Sequence, residues 1–174
     1  MADAKWLIGR LVVLVSLGGV LGWGAVAAAE SAPDVVTVKR LAMPLAAKIA
    51  EKAVMACQAK GYAVTAVVVD RNGDPQVMMR GTRANRFTIQ IATDKARAVI
   101  LSGVDSSLFL KNRGDIRMEM DHVDGILMLE GGVRIDSVGT LVGALGVSGA
   151  PGGEKDEACA KAAVAVYVDQ LDMP

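Results

Sequence analysis

Cationic side chains that could hold an anion cluster near the middle of the chain. Arg80, Arg83 and Arg86 recur at three-residue spacing in a short polar loop, and Arg97 follows in the next segment. A guanidinium group pairs bidentately with a carboxylate, so this spacing suits a ligand that carries carboxyl groups. The alternative is a solvated charged face that needs no ligand.

The chain contains a single histidine, His122. A neutral imidazole can ligate iron, Met118 or Met120 could supply a sixth ligand, and Asp121 or Asp124 could orient the ring. The alternative is an exposed or locally bonded loop residue. One histidine excludes a histidine-rich zinc site within one chain, and the chain has no Cys-x-x-Cys-His motif for covalent haem attachment.

Glycines recur at every third residue late in the chain, at Gly143, Gly146 and Gly149. Gly143 and Gly146 lie within the apolar run 140–147, and Gly149 lies just after it. This run is bounded by glycine and predicts a buried strand. A strand gains nothing from glycine unless another group must approach its backbone closely. The spacing therefore indicates either a packed neighbouring element or a ligand.

The turn 148–153 holds three glycines and a proline, and acidic residues then open a helical pattern. Backbone N–H groups at such a helix start bind anions, although an ordinary strand–helix connection explains the pattern as well. The turn lacks the Gly-Lys-Ser/Thr of a phosphate loop, and no histidine follows Ser148. With scattered carboxylates and no Ser/His/Asp set, the chain resembles a binding protein more than an enzyme.

Three segments together resemble the GlcG/HbpS-like haem-binding family, which is related to the C-terminal domain of the PduO adenosyltransferases. They are 143–149 with the helix that follows, Ile89–Ala98, and Leu129–Ile135. They occur in the expected order over roughly residues 40 to 172. The resemblance is specific as a set, because no single segment would be decisive.

The resemblance implies an α+β fold with a profilin-like antiparallel sheet of about five strands. The N- and C-terminal helices would lie on one face of this sheet and further helices on the other. It also implies haem as cofactor, a role in haem sensing, storage or degradation, and assembly into homo-oligomers of two or more chains.

The resemblance and the residue chemistry together predict a set of ligand contacts. The predicted haem-binding residues are Arg83, Arg86, Lys95, Gly143, Gly146, Ser148 and Gly149, with His122 as the candidate iron ligand. The chain departs from many family members by having Thr82-Arg83 where they carry Asp-Gly, which favours an anionic ligand. The alternative function is a non-catalytic accessory or sensor module that binds a small organic acid or another cofactor.

The N-terminus predicts a signal peptide over residues 1–29. Lys5 and Arg10 supply positive charge, Leu11–Trp23 is a short apolar core, and Ala27–Ala29 offers small residues for cleavage. The alternative is an uncleaved membrane anchor, for which the apolar core is short. We expect a linker over 30–39, a single domain over 40–174, and a periplasmic or secreted protein without stable membrane insertion after cleavage.

Net charge excludes one class of function, and the positions of the two cysteines limit their possible states. The 19 basic and 19 acidic residues balance, so there is no basic excess for nucleic acid. Cys57 and Cys159 both lie on apolar helical stripes, which places them in the core. This spacing is compatible with two alternatives. The cysteines could be two buried free thiols, or they could form a disulfide between the first and last helices.

Periodicity predicts the order of the elements. Helices are predicted over 39–60, 87–101, 106–110 and 154–171, and strands over 63–70, 75–80, 126–129, 133–138 and 140–147. Arg71-Asn72-Gly73-Asp74 predicts a hairpin, and Glu130-Gly131-Gly132 predicts a second one.

Overall fold

The computed structural model describes residues 34–173. The predicted signal peptide lies outside the described residues. The elements in chain order are α1 (Met43–Gln58), β1 (Thr65–Asp70), β2 (Pro75–Arg80), α2 (Thr88–Ser102), α3 (Ser106–Arg113), a 3-10 turn (Gly114–Ile116), α4 (Arg117–Met120), β3 (Gly132–Ser137), β4 (Thr140–Ser148), α5 (Gly153–Ala165) and α6 (Val168–Asp172).

The strands form one antiparallel sheet in the order β2-β1-β4-β3. The predicted hairpin at Asn72-Gly73 joins β1 to β2, with Gly73 at φ 87°. Strand β4 lies in the interior of the sheet between β1 and β3, so the glycine-containing strand has a neighbour on both sides. The apolar runs of β1 and β4 are buried for this reason.

The two faces of the sheet are covered by different helices. One face packs against α1 and α5 around Ile49, Val68 and Leu145. The other face packs against α2, where Ala92, Ala96 and Val99 meet β1 and β4. The alternation of side chains along β1 divides them between these two cores. The predicted α+β fold, with the first and last long helices on one face, is confirmed.

The sheet has four strands among the described residues, so the prediction of a strand over 126–129 and of a hairpin at 130–132 is wrong. Within the described residues β3 pairs only with β4, and residues 126–129 do not add a fifth strand at its outer edge. Instead, Leu127 donates its backbone N–H to the Asp94 carbonyl on α2 at 3.4 Å. The second hairpin is the turn at Val138 and Gly139, both with positive φ.

The final helix is also interrupted. The apolar pattern predicts one helix over 154–171, but α5 ends at Ala165 and the short α6 begins at Val168. Leu171 on α6 is buried against the α1–α5 core, so the break lets the end of the chain turn back onto the domain.

A disulfide joins Cys57 on α1 to Cys159 on α5, with their Cα atoms 5.4 Å apart. Of the two possibilities left open by the sequence, the structure contains the disulfide. Both residues are fully buried where the two helices pack on the sheet. The bond closes a loop with a sequence separation of 102 residues, so it restricts the unfolded chain strongly.

Within residues 34–173, none of the helices has both the length and the apolar character that a membrane crossing requires.

Substituting Gly146 tests how closely α2 approaches β4. A Cβ atom at this position would overlap the carbonyl oxygen of Ala92 on α2, so we expect Gly146→Ala to lower the free energy of unfolding by about 3 kcal/mol or more. Gly114→Ala is the control, since nothing lies within 4 Å of its Cβ position and its φ is −60°. Urea denaturation should show the control unchanged or slightly stabilised, and similar midpoints for the two variants would contradict the packing.

Candidate functional site

Gly143, Gly146 and Gly149, which lie in β4 or directly after it, pack against protein backbone. A Cβ on Gly143 would come within 2.6 Å of the Val69 carbonyl oxygen, and one on Gly149 would overlap the Ala63 carbonyl oxygen. Gly146 meets α2, as described above. The sequence left a packed neighbour and a ligand as alternatives, and the structure shows a packed neighbour at each glycine. Ser148, which ends the strand, is buried beside them.

Lys95 is a buried structural lysine. Its side chain is 1% exposed, and its Nζ donates to Asp156 Oδ2 at 2.8 Å and to the Val147 carbonyl at 3.1 Å. Asp156 in turn accepts the Ala150 N–H at 2.9 Å through Oδ1. The pair therefore links α2, β4 and the turn before α5. Its ammonium group contacts protein atoms rather than an open cavity.

Burial raises the pKa of the Asp156 carboxyl, while the Lys95 ammonium and the Ala150 N–H oppose that rise. A carboxylate held this far from water depends on its cationic partner. The sequence contained a signal for this pair, because Lys95 occurs on the same helix face as the apolar Ala92 and Val99. A lysine on an inward face requires a buried anion.

Glu157 is a second buried carboxylate at the start of α5. It accepts hydrogen bonds from Ser106 Oγ at 3.0 Å, from the Ser107 N–H and hydroxyl, and from Lys161 Nζ at 2.6 Å. Burial works against ionisation, but the bonds from Lys161, Ser107 and Ser106 outweigh it and lower the pKa of Glu157. The sequence predicts Glu157 only as one of the acidic residues in the first turns of the last helix. It does not indicate the partners of Glu157, because Ser106 lies 51 positions earlier in the chain.

The Ser107, Glu157 and Lys161 cluster is not a nucleophilic set. The hydrogen bond to Glu157 raises the pKa of Lys161, and the pKa of Glu157 is lowered. Both groups are therefore charged at neutral pH, and neither is poised to take a proton from the serine hydroxyl.

A groove lies beside the edge strand β3 and is here called the edge groove. It has a volume of about 580 Å³. Val104, Leu108 and Val133 form its apolar side. Its charged groups are Asp105, Arg134, Asp136 and Lys161.

The charges of the edge groove are already paired with one another. Arg134 bonds Asp136 at 2.7 Å and the Gly103 carbonyl at 2.6 Å. Lys161 lies 3.5 Å from Asp105 in addition to its contact with Glu157. Both cations remain partly exposed, with side chains 32% and 51% accessible, so a ligand anion can reach them.

A second groove, here called the hairpin groove, lies beside the β1–β2 turn and has a volume of about 330 Å³. Ile100, Leu101 and Ile126 contribute its apolar surface, and Arg97 its cation. Arg97 Nε donates to the Gly73 carbonyl at 2.9 Å, which fixes the hairpin against α2.

A third cavity, here called the arginine pocket, contains Arg83 and Arg80. It has a volume of about 210 Å³ and is bounded by the end of α1, Tyr62 and the loop after β2. Arg86, the third arginine of the loop, is exposed, and its guanidinium lies 5.0 Å from the centre of the Phe87 ring. Arg80 and Arg83 are exposed as well, but only these two line the pocket.

His122 lies in the exposed loop that follows α4. Asp121, proposed as its orienting partner, accepts the Met128 N–H at 2.9 Å and lies 3.7 Å from Arg117. Residues 34–173 contain no cluster of three or more His, Cys, Asp or Glu side chains able to hold a metal ion. Ligation of iron by His122 stays a prediction.

Comparison with known proteins identifies a match over most of the domain. Residues 41–165 match the family model described as "Haem degrading protein HbpS-like". No curated protein matches the chain.

Solved structures give the same architecture. A double mutant of Streptomyces reticuli HbpS is 32% identical, with a TM-score of 0.72 over 82% of this chain and 97% of that one. Klebsiella pneumoniae ORFY has a TM-score of 0.72 at 20% identity, over 79% of this chain and 97% of its own. A PduOC:Heme complex has a TM-score of 0.64 at 24% identity, over 73% and 94%. The last two similarities concern the fold.

The lowered pKa of Glu157 predicts a pH-dependent contribution to stability. A carboxylate whose pKa is lower in the folded state stabilises the fold above its unfolded pKa and loses this effect as pH falls through the folded pKa. We expect Glu157→Gln to be less stable than the parent protein at pH 7, with the difference narrowing below about pH 5.

Glu154→Gln is the matched control, because the Glu154 side chain is 63% exposed. The measurement is the free energy of unfolding from urea titrations between about pH 7 and pH 3. Parallel curves for the parent protein and Glu157→Gln would contradict the assignment.

Proposed function

The chain belongs to the HbpS-like family of haem-degrading proteins, and we propose from this membership that it binds haem in the edge groove. The observation that carries the site is the size and lining of that groove. Its volume of about 580 Å³ lies within the range of small-molecule sites, and it combines an apolar side with two accessible cations. The description of the matching family, a haem degrading protein, supports the ligand.

The lining suits the two chemical halves of haem. Val104, Leu108 and Val133 can cover part of the apolar ring, and each Å² of apolar surface so buried contributes about 25 cal/mol. Arg134 and Lys161 are placed to meet the propionates by charge-assisted hydrogen bonds. In doing so they would exchange their present carboxylate partners for those of the ligand.

Among the described residues, no His, Met, Cys or Tyr side chain lines the edge groove. The side-chain oxygens that could ligate iron in this groove are the carboxylates of Asp105 and Asp136 and the hydroxyl of Ser107. In this proposal the protein holds haem mainly through contacts with the porphyrin ring and its propionates, and bound haem would supply the iron chemistry. The proposal concerns binding; haem breakdown would in addition need a reductant or peroxide.

Two leucines on different surfaces test the location. Leu108 lines the edge groove and is 43% exposed, while Leu101 lines the hairpin groove and is 55% exposed. We expect Leu108→Glu to weaken haemin binding at least about tenfold, because a carboxylate would be buried against the ring. Leu101→Glu should bind as the parent protein does.

The measurement is the Soret change on haemin titration of each purified protein. Loss of haemin binding in Leu101→Glu but not in Leu108→Glu would indicate that haemin binds in the hairpin groove instead. Failure of the parent protein to give a saturable Soret shift would refute haem binding altogether.

His122 provides an independent test of iron ligation. Because the edge groove does not contain His122, we expect His122→Ala to keep the Soret wavelength and the affinity of the parent protein. A shifted spectrum in this variant would establish imidazole ligation, as predicted from the sequence. It would also favour the hairpin groove, which Asp124 and Ile126 line a few residues further along the chain.

We also propose export to the periplasm or the cell exterior. The predicted signal peptide supports it, and so does the Cys57–Cys159 disulfide, since such bonds persist in oxidising compartments. Cell fractionation with N-terminal sequencing of the mature protein tests this. Recovery of the uncleaved chain in the cytosol would contradict it.

Self-association is part of the same proposal. Within the described residues, strand β2 pairs only with β1, and an uncovered strand edge favours pairing with another chain. Light scattering on the mature protein measures the assembly, and a monomer at micromolar concentration would rule it out.

A further inference from the structure

The arginine pocket is assembled from three separate parts of the chain. Val54 and Gln58 come from the end of α1, and Tyr62 and Val64 precede β1. Arg80 ends β2, and 81–83 follow it. The pocket lies at the β2 side of the sheet, whereas the edge groove lies at the β3 side. With β1 and β4 between them, and about 4.8 Å between neighbouring strands, the two sites are separate.

The charges of this pocket are unbalanced. Within residues 34–173, most arginines have a carboxylate partner within 4.0 Å, namely Arg40, Arg97, Arg113, Arg117 and Arg134. Arg80 and Arg83 have no such partner among the described residues, and no Asp or Glu lines the pocket.

The two guanidinium groups also keep most of their hydrogen-bonding capacity. Arg80 Nη1 donates to the Ala84 carbonyl at 2.9 Å, which uses one of the roughly five N–H donors of the group. That bond holds Arg80 against the loop. Two cations with spare donors, close to the Thr82 hydroxyl and the Gln58 amide, match an anion that accepts several hydrogen bonds.

The loop that presents these groups is held in place before any ligand arrives. The Gly81 N–H donates to the Val64 carbonyl, and the Ala84 N–H donates to the Gly81 carbonyl, both at 2.9 Å. Ala63, which also lines the pocket, is in turn packed against Gly149. Pre-arranged donors reduce the ordering cost of binding.

The dimensions limit the ligand to a small molecule. Its volume of about 210 Å³ is below the roughly 300 Å³ at which sites for drug-sized ligands usually begin. Val54, Val64 and the ring of Tyr62 give one apolar wall. A short carbon chain could lie on that wall while its carboxylate faces the arginines.

We infer that the arginine pocket is a second binding site, specific for a small organic carboxylate and independent of the haem site. This inference does not depend on haem binding by the edge groove. It assigns Arg83 to the carboxylate ligand, together with Arg80 and Tyr62.

The test is an NMR titration of the haem-free mature protein with acetate, succinate and inorganic phosphate at constant ionic strength. We expect saturable shifts of the Gly81 and Thr82 amide signals with at least one carboxylate. The same shifts should occur when the protein is first saturated with haemin. Arg83→Gln should weaken this binding about 10- to 100-fold, since a charge-assisted contact is lost.

Arg71→Gln is the matched control. Arg71 is exposed in the β1–β2 turn, lines none of the three cavities, and loses the same charge. Equal weakening by both variants would show general electrostatic attraction and overturn the site. Tighter binding of phosphate than of either carboxylate would overturn the ligand class, and absence of saturable shifts with all three probes would overturn the inference.

Discussion

The buried ion pair between Lys95 and Asp156 is the contact on which the arrangement of the domain depends. It joins the helix on one face of the sheet to the first turn of α5 on the other face, and it passes the end of β4 on the way. Removing two charges from water costs several kcal/mol, so the pair persists because its remaining hydrogen bonds are satisfied by Val147 and Ala150. Loss of either partner would leave a charge in the core.

Glycines make room for this connection. A Cβ on Gly131 would come within 2.8 Å of Lys95 Nζ, and one on Gly132 within 2.6 Å of the Lys95 carbonyl oxygen. The close approach of α2 at Gly146 serves the same packing. The glycine positions that resemble the family pattern are thus explained by the contacts between elements, without a ligand at the strand.

The cavities consequently lie at the margins of the sheet. The centre is filled by backbone, small side chains and paired charges, so the cavities occur beside β3, beside the β1–β2 turn and beside the loop after β2. The edge groove has an apolar side and two partly exposed cations. The arginine pocket is smaller and contains Arg80 and Arg83, which have no carboxylate partner among the described residues.

The sequence by itself determined the local elements and the family, because periodicity and turn chemistry act over a few residues. The Asn72-Gly73 hairpin and the buried strand β4 followed from such patterns, and the division of helices between the two faces followed from the resemblance to the family. Only the tertiary structure decided what the glycines and Lys95 contact, because these partners come from distant parts of the chain. Lys95 and Asp156 are 61 positions apart. It likewise decided that 126–129 contacts α2 rather than joining the sheet, since Leu127 bonds the carbonyl of Asp94, 33 positions earlier in the chain.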